Sequence, residues 1–172
     1  MMAPVAGTPA PLGLNATLHQ IGVIVRDLEQ GMAHYRDLVG LGPFMTMRTR
    51  YEARFHDWRG TIANHNAFAK WGDLYLEMVE PGEGDGIHRH WLETRGEGIF
   101  HLGFWTDDMS QRPGGAEVCF EPMGAVNPDG SPRIVMFDTL KELGWYVELA
   151  DRQLVETLNS GIDRYMAEQA PA

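Results

Sequence analysis

The chain carries Gln20-Ile21-Gly22-Val23-Ile24-Val25-Arg26-Asp27-Leu28 and repeats its pattern as His101-Leu102-Gly103-Phe104-Trp105-Thr106-Asp107-Asp108-Met109. In both copies a polar side chain opens an apolar strand, glycine follows two residues later, and aspartate with an apolar residue follows at positions seven and eight. Each copy is followed, later in the chain, by a strand with one glutamate among apolar residues, Glu77 or Glu148. An internal repeat that places a polar side chain on each of four strands predicts one site shared by two halves.

Composition limits the classes of function. The 172 residues and 44% apolar content fit a single globular domain. A net charge of -10 disfavours nucleic acid and anionic membranes as partners, since both attract positive surfaces. Cys119 is the only cysteine, so no internal disulfide can form. Residues 1–16 contain three prolines and no basic residue, and no apolar run reaches membrane-spanning length. We therefore expect a disordered N-terminal tail over residues 1–16 and a cytoplasmic protein.

Periodicity predicts two similar modules. Module one, residues 17–80, has a strand, a helix that begins after Asp27, and three further strands at 44–49, 62–70 and 74–79. A linker over 81–98 contains a short helix at 87–94. Module two, residues 99–150, has strands at 99–106, 116–121, 132–137 and 144–149. Pro113 and two glycines follow its first strand, so its crossover helix is expected to be shortened. Residues 151–172 are expected to form a C-terminal helix and tail.

The chain resembles the vicinal-oxygen-chelate superfamily, nearest to its glyoxalase I and methylmalonyl-CoA epimerase members. The motifs that carry the resemblance are Gly22-Val23-Ile24-Val25-Arg26-Asp27-Leu28, Leu38-Val39-Gly40-Leu41-Gly42-Pro43, Leu76-Glu77-Met78-Val79-Glu80-Pro81, His101-Leu102-Gly103-Phe104 and Phe137-Asp138-Thr139. The resemblance covers about residues 17–150. It implies an α+β fold in which paired βαβββ modules form a curved eight-stranded mixed sheet with a central cup. It also implies a homodimer, because members of the superfamily usually pair.

The resemblance further implies a divalent metal ion in the cup, held by one residue from the first and one from the fourth strand of each module. By position these ligands are Gln20, Glu77, His101 and Glu148, and Zn, Ni, Co, Mn or Fe would suit them. The first position is usually His in bacterial glyoxalases and epimerases, whereas eukaryotic glyoxalase I resembles this chain in using Gln. The neighbouring His19 should point to the opposite face, and it is the alternative ligand if the strand carries a bulge.

Aromatic residues share strand faces with the candidate ligands. Trp105 shares a face with His101, Tyr75 with Glu77, and Tyr146 with Glu148. His65 lies on the third strand and could also face the cup. We expect these four residues to bind an apolar or aromatic substrate; the alternative is that the aromatics belong to the core and that His65 has a packing role.

The leading functional hypothesis is a metal-dependent lyase or isomerase that stabilises an enolate or enediolate of a carbonyl-containing small molecule. Glu148 is the predicted general base and Glu77 the opposing acid or base. Glyoxalase I, which the chain resembles, has an Arg four residues after its first ligand that helps to hold glutathione; Ile24 occupies that position here, which disfavours a glutathione-dependent reaction. Two alternatives stay open at this point. One is an Fe(II) dioxygenase of the extradiol type, which Gln20 disfavours, and the other is a metal-free binding protein of the bleomycin-resistance type.

Overall fold

The computed structural model describes residues 11–170. Its elements, in chain order, are β1 (Thr17–Ile24), α1 (Leu28–Val39), β2 (Met45–Phe55), β3 (Trp58–Trp71), β4 (Leu74–Glu83), α2 (Ile87–Arg95), β5 (Gly98–Thr106), β6 (Val118–Pro122), β7 (Ile134–Phe137), α3 (Leu140–Leu143), β8 (Tyr146–Asp151) and α4 (Arg152–Gln169). Single 3-10 turns lie at Pro11–Gly13 and Pro113–Gly115. None of the helices over residues 11–170 is long and apolar enough to cross a membrane.

The eight strands form one mixed sheet that curves until it closes, in the order β1-β4-β3-β2-β6-β7-β8-β5. In each module the first strand lies parallel to the fourth, so β1 pairs with β4 and β5 with β8. The modules join where β1 and β5 run antiparallel, and again where β2 meets β6. The predicted α+β architecture with paired βαβββ modules and an eight-stranded cup is therefore confirmed.

Polar caps begin the two long helices. The Asp27 side chain accepts a hydrogen bond from the backbone N–H of Gln30, and Asp151 accepts one from that of Leu154. Both carboxylates thereby satisfy an N–H group that has no partner within its helix. Gly40 ends α1 in the left-handed conformation, at φ 69°. The helix that the sequence predicted after Asp27 is confirmed.

In module two the connection after β5 contains only the 3-10 turn at Pro113–Gly115 in place of a crossover helix, as its proline and glycines predicted. The N-terminal segment covers part of the sheet face that a helix would otherwise protect. Leu14 is buried there among Phe104, Val147 and Leu149. Residues 1–10 of the predicted tail lie outside the described residues, but Leu14 shows that the packed chain begins before residue 17.

The β2–β3 hairpin is longer than predicted. The sequence predicted strands over 44–49 and 62–70, but the ladder continues until Phe55 pairs with Trp58, which leaves a tight turn at His56 and Asp57. His56 has φ 49°, in the region that such turns require. The predicted bounds of both strands were too short, because the cross-strand ladder continues to the end of the hairpin.

Two helices pack against the inner side of the curved sheet. At one end, Trp91 of α2 packs against an inner cluster of buried apolar residues that includes Ile24, Phe55, Ile62, Phe100, Phe120 and Tyr146. At the other end, Ile162 of α4 packs against Phe68 and Tyr75. The four strands that carry the candidate ligands each contribute a buried side chain to the first of these clusters, namely Ile24, Val79, Phe100 and Tyr146.

Candidate metal centre

Three potential ligands converge inside the cup. Glu77 on β4, His101 on β5 and Glu148 on β8 each place one donor atom within 4.8 Å of the others. The His101 Nε2 atom lies 3.7 Å from Glu77 Oε2 and 3.8 Å from Glu148 Oε2. His101 is fully buried, and the side chains of Glu77 and Glu148 are only 17% and 9% exposed. The two halves of the repeat therefore do meet at one place.

Gln20 joins this cluster through His101. Its Oε1 atom lies 3.0 Å from His101 Nε2. An amide oxygen can only accept, so in this arrangement Nε2 carries the proton and donates it. An ion bound at Nε2 would require the other tautomer, with the proton on Nδ1, and would leave Gln20 Oε1 available as an oxygen ligand. Nδ1 is buried and has no hydrogen-bond partner within residues 11–170.

The glycine in each copy of the repeat makes room for the opposite copy. Gly22 lies opposite Glu77 in the β1–β4 ladder and opposite His101 in the β1–β5 ladder. Gly103 has the equivalent position, opposite Gln20 and Glu148. A Cβ atom on Gly103 would lie 3.1 Å from Glu148 Oε1 and 3.1 Å from Gln20 Cβ. Each copy of the repeat therefore has glycine two residues after its polar residue because a larger residue there would collide with the side chains of the candidate ligands.

Burial controls the protonation states of the centre. Desolvation lowers the pKa of His101 to about 3, with the nearby His88 and His19 adding to the effect. The imidazole is therefore neutral at physiological pH and keeps a lone pair for a metal. Desolvation raises the pKa of both Glu77 and Glu148, and the charge of Glu77 raises that of Glu148 further. A hydrogen bond from Asn66 Nδ2 to Glu77 Oε1, 3.0 Å long, opposes part of the rise at Glu77.

This donor set fits a divalent cation. Within the described chain, neither Glu77 nor Glu148 has a lysine or arginine at ion-pair distance, and the only ionisable cation former within that distance is the neutral His101. Two buried carboxylates without a cation are unfavourable next to each other, and a bound ion would remove that cost. One imidazole, two carboxylates and an amide oxygen suit a first-row transition ion or zinc.

Comparison with known proteins agrees with this geometry. A sequence profile described as glyoxalase/bleomycin resistance protein/dioxygenase superfamily matches residues 19–117. The chain belongs to this superfamily. The resemblance inferred from the sequence motifs is thereby confirmed.

Solved structures with a similar fold include epimerases of the superfamily. A methylmalonyl-CoA epimerase in complex with methylmalonyl-CoA and NH4+ is 26% identical, with a TM-score of 0.56 over 79% of this chain and 94% of that one. The epimerase of Mycobacterium tuberculosis is 20% identical, with a TM-score of 0.51 over 81% and 91%. Among curated proteins, an uncharacterized protein of Bacillus subtilis, YqjC, is 26% identical over 95 residues. Those residues make up 55% of this chain and 61% of that relative.

His19 lies at an irregularity of β1. Leu18 pairs with Phe104 and Gln20 with Gly103, so His19 has no partner of its own in the β1–β5 ladder. Phe100 is skipped in the same way on β5 and packs in the inner cluster. His19 is buried, and both of its ring nitrogens lack hydrogen-bond partners within the described chain. The expected simple alternation of faces therefore fails at His19, whereas Gln20 is the β1 side chain that contacts His101.

The side chains predicted to bind substrate are mostly engaged in packing. Tyr75 lies under α4 and donates its hydroxyl proton to Asp163 at 2.9 Å. Tyr146 is 1% exposed within the inner cluster. The Trp105 ring lies beneath the Arg152 guanidinium, whose central carbon is 4.7 Å from the ring centroid. These contacts match the alternative in which the aromatics belong to the core, because α4 packs where an open cup was expected.

His65 does not face the cup, as the sequence had suggested it could. On β3 the inner face carries Ile62, Asn64 and Asn66, and alternation places His65 on the outer face. It lines a surface depression there with Arg48, Arg50 and Glu80.

Sequence reasoning missed a set of polar side chains on the inner faces of β2, β3 and α2. These are Tyr51, Asn64, Asn66 and His88. The available signal was the two-residue spacing of Ile62, Asn64 and Asn66, in which two amides continue the face of a buried isoleucine. No such spacing could identify His88, because α2 approaches the cup from a distant part of the chain.

Proposed function

We propose that this protein is a metal-dependent isomerase or lyase that moves a proton on the carbon next to a carbonyl group. The observation that supports this most strongly is the convergence of Glu77 and Glu148 on the neutral imidazole of His101 within 4.8 Å. Two carboxyl groups in one water-poor cup can divide acid and base roles between them. The proposed ligands are Gln20, Glu77, His101 and Glu148.

Glu148 is the proposed general base. Its side chain is nearly enclosed, and burial raises the pKa of its carboxyl group, which strengthens its affinity for a proton. Glu77 lies on the opposite module, and Asn66 fixes one of its oxygens. Glu77 is therefore suited to return a proton to the other face of the same carbon, or to act on the leaving group in a lyase reaction.

A bound divalent ion would act as a Lewis acid toward the oxygens of the substrate. The neutral state of His101 and the absence of competing cations around the two carboxylates suit these residues to hold such an ion. The 26% identity with a methylmalonyl-CoA epimerase supports proton transfer over oxygenation as the reaction class. Gln20 also supports proton transfer, because a dioxygenase of the extradiol type would hold its iron with two histidines and one carboxylate.

Two measurements test the proposal. Protein stripped with EDTA should bind about one Mn²⁺ or Zn²⁺ per chain, and the His101→Ala variant should not. The loaded protein should then exchange the proton next to the carbonyl of a suitable substrate for deuterium in D₂O, followed by NMR. Methylmalonyl-CoA is the first compound to test. Failure of the parent protein to bind a divalent ion would refute the proposal, and oxygen consumption in place of exchange would favour the dioxygenase class.

A further inference from the structure

The inner face of the β2–β3 hairpin presents a polar wall to the candidate metal centre. Tyr51 on β2 pairs with Ile62 on β3, and both pack with the inner cluster of the cup. Asn64 and Asn66 follow on the same face of β3, and Asn66 contacts Glu77 directly. The wall therefore extends from the apolar end of the cup to the carboxylate of Glu77.

One part of the wall is held by a buried hydrogen bond. Asn64 Nδ2 lies 3.3 Å from Nδ1 of His88, which packs edge-on against Phe100 and Phe120. Because the amide nitrogen can only donate, Nδ1 accepts and the His88 proton lies on Nε2. Desolvation lowers the pKa of His88 to about 4, so this imidazole is a neutral donor at physiological pH. The part of the wall near α2 is therefore polar but uncharged.

Tyr51 is the member of the wall whose hydroxyl is uncommitted. No hydrogen-bond partner for it exists within residues 11–170, although the ring packs against buried apolar residues. Its pairing with Ile62 places the ring on the inner face of the hairpin, the same face on which Asn66 contacts Glu77. Burial raises the pKa of Tyr51, and the charges of Glu77 and Glu148 raise it further, so the phenol keeps its proton. The residue is half-buried, so its hydroxyl can donate to an oxygen atom of a bound substrate without breaking a hydrogen bond within the described chain.

We propose that Tyr51 binds the substrate by donating its hydroxyl proton to a second oxygen-bearing group, beyond the oxygen atoms that a metal ion would hold. This inference rests on the proposed function. It makes the substrate a small carbonyl compound with an additional carboxylate, keto or hydroxyl oxygen, rather than the wholly apolar or aromatic molecule that the sequence suggested. The neutral His88 and the Asn64 amide make the rest of the wall compatible with such a group, because neither introduces a charge to be desolvated.

Binding of oxalate to the Mn²⁺-loaded protein tests this role. Oxalate offers two oxygens to the ion and two more to the surrounding wall, whereas acetate offers no second oxygen-bearing group. The Tyr51→Phe variant should bind oxalate about ten-fold more weakly or worse than the parent, since a hydrogen bond to a charged group is lost. Its affinity for acetate and for Mn²⁺ should change by less than about two-fold, a shift too small for a lost hydrogen bond of this kind. Calorimetric titration measures all three constants.

The matched control is Tyr35→Phe, which removes a phenol from α1 on the outer side of the sheet. It should leave all three constants unchanged. Equal oxalate affinity of Tyr51→Phe and the parent, with normal Mn²⁺ binding, would overturn the inference while leaving the proposed metal centre intact. A parent protein that does not bind Mn²⁺ would instead overturn the proposed function, and the role of Tyr51 with it.

Discussion

Gly22 and His101 share one space at the junction of the two modules. They lie opposite each other in the β1–β5 ladder, and a Cβ atom on Gly22 would lie 2.1 Å from Cε1 and 2.2 Å from Nδ1 of the imidazole. The backbone of one copy of the repeat therefore supports the candidate ligand of the other copy. Gly22 has no left-handed φ, so the requirement for glycine here is one of space and not of backbone conformation.

This contact makes Gly22→Ala a test of the centre that alters no ligand. The added methyl group must displace the His101 ring. We therefore expect affinity for Zn²⁺ or Mn²⁺ to fall by about ten-fold or more, the effect of losing a residue that orients a metal ligand. Overpacking should also lower the free energy of unfolding by about 1–3 kcal/mol. Metal titration and urea unfolding measure the two effects.

Gly161→Ala is the matched control for that substitution. Gly161 lies within α4, and a Cβ atom there would meet nothing within 4 Å. Alanine should stabilise the helix by about 0.5–1 kcal/mol and leave metal affinity unchanged. Metal binding by Gly22→Ala at parental affinity would show that the His101 ring is not part of the ion site.

Removing the candidate ligands one at a time should give a graded series. His101→Ala should lower metal affinity by at least about 100-fold, more than the loss of an outer-shell partner, because it removes the only imidazole of the cluster. Gln20→Ala should cost less, since a neutral amide oxygen is a weaker ligand, and Gln20→His should tighten binding. His34→Ala, at an exposed position on α1, is the control. An unchanged affinity in His101→Ala would place the ion elsewhere.

The repeat made much of this arrangement predictable, and physical reasons explain the remainder. Gln20, Glu77, His101 and Glu148 could be located because strand pairing between equivalent modules brings equivalent positions together. The irregular pairing at His19 could not be foreseen, because a bulge is defined by the partner strand as well as by its own sequence. The extra, unpaired residue of such a bulge could not be recognised from the spacing of the apolar residues in β1.

The substrate-facing residues were less predictable because they depend on where distant helices pack. Tyr75 is covered by α4, whose Asp163 accepts its hydroxyl proton. Tyr51, by contrast, was not predicted to bind substrate although it packs on the inner face of the cup. Its segment was not recognised as a strand, since the alternating charges Arg50, Glu52 and Arg54 lie on the outer face of the hairpin and obscured the inner one. Local pattern therefore located the candidate ligands but not the wall opposite them.

We predict that the protein forms a homodimer. β2 pairs with β6 only at Ala53–Phe55, so within the described chain the part of β2 before Glu52 pairs on one side alone, with β3. Exposed strand edges favour association with another strand, and Met47 on this stretch is 38% exposed. Sedimentation at micromolar concentration should show a species of twice 19.3 kDa. A single species of 19.3 kDa would contradict the prediction.

The unfolding of metal-free protein should depend on pH through Glu77 and Glu148. Burial raises both carboxyl pKa values above their unfolded value of about 4.3, so the folded state retains protons that the unfolded state releases. The stability that these protons contribute is present at low pH and is lost as pH rises toward the raised values. The buried histidines have the opposite effect on stability between pH of about 4 and about 6.5. The pKa values of His19 and His88 are lowered to about 4, so the unfolded state binds more protons there and stability rises with pH.

Between pH of about 7 and about 8 the imidazoles are neutral in both states, so the two carboxyl groups dominate the pH dependence. Urea unfolding of the EDTA-treated parent should therefore show stability that falls from pH of about 7 to about 8, and the contribution of the two carboxyl groups should level off above that. Glu148→Gln should lose less stability than the parent over that range, because only Glu77 still titrates, and it should be more stable by about 1 kcal/mol or more, because one buried charge is absent. Glu156→Gln, at an exposed position on α4, should retain the parental slope. A parent whose stability does not change with pH would show that the two carboxylates are solvated or already paired.

Glu148→Gln also separates proton transfer from metal binding. Glutamine keeps the size of the side chain and one oxygen ligand but cannot accept a proton. With Glu77, His101 and Gln20 intact, the variant should retain at least part of its metal affinity, while proton exchange into a substrate should slow by about 10²-fold or more. Metal content and the deuterium exchange rate, measured on the same sample, give the comparison. Full exchange activity would remove Glu148 as the base and transfer that role to Glu77. If metal and rate are lost together, refilling the variant at high Mn²⁺ concentration decides the matter, because a ligand defect alone should then be rescued and a missing base should not.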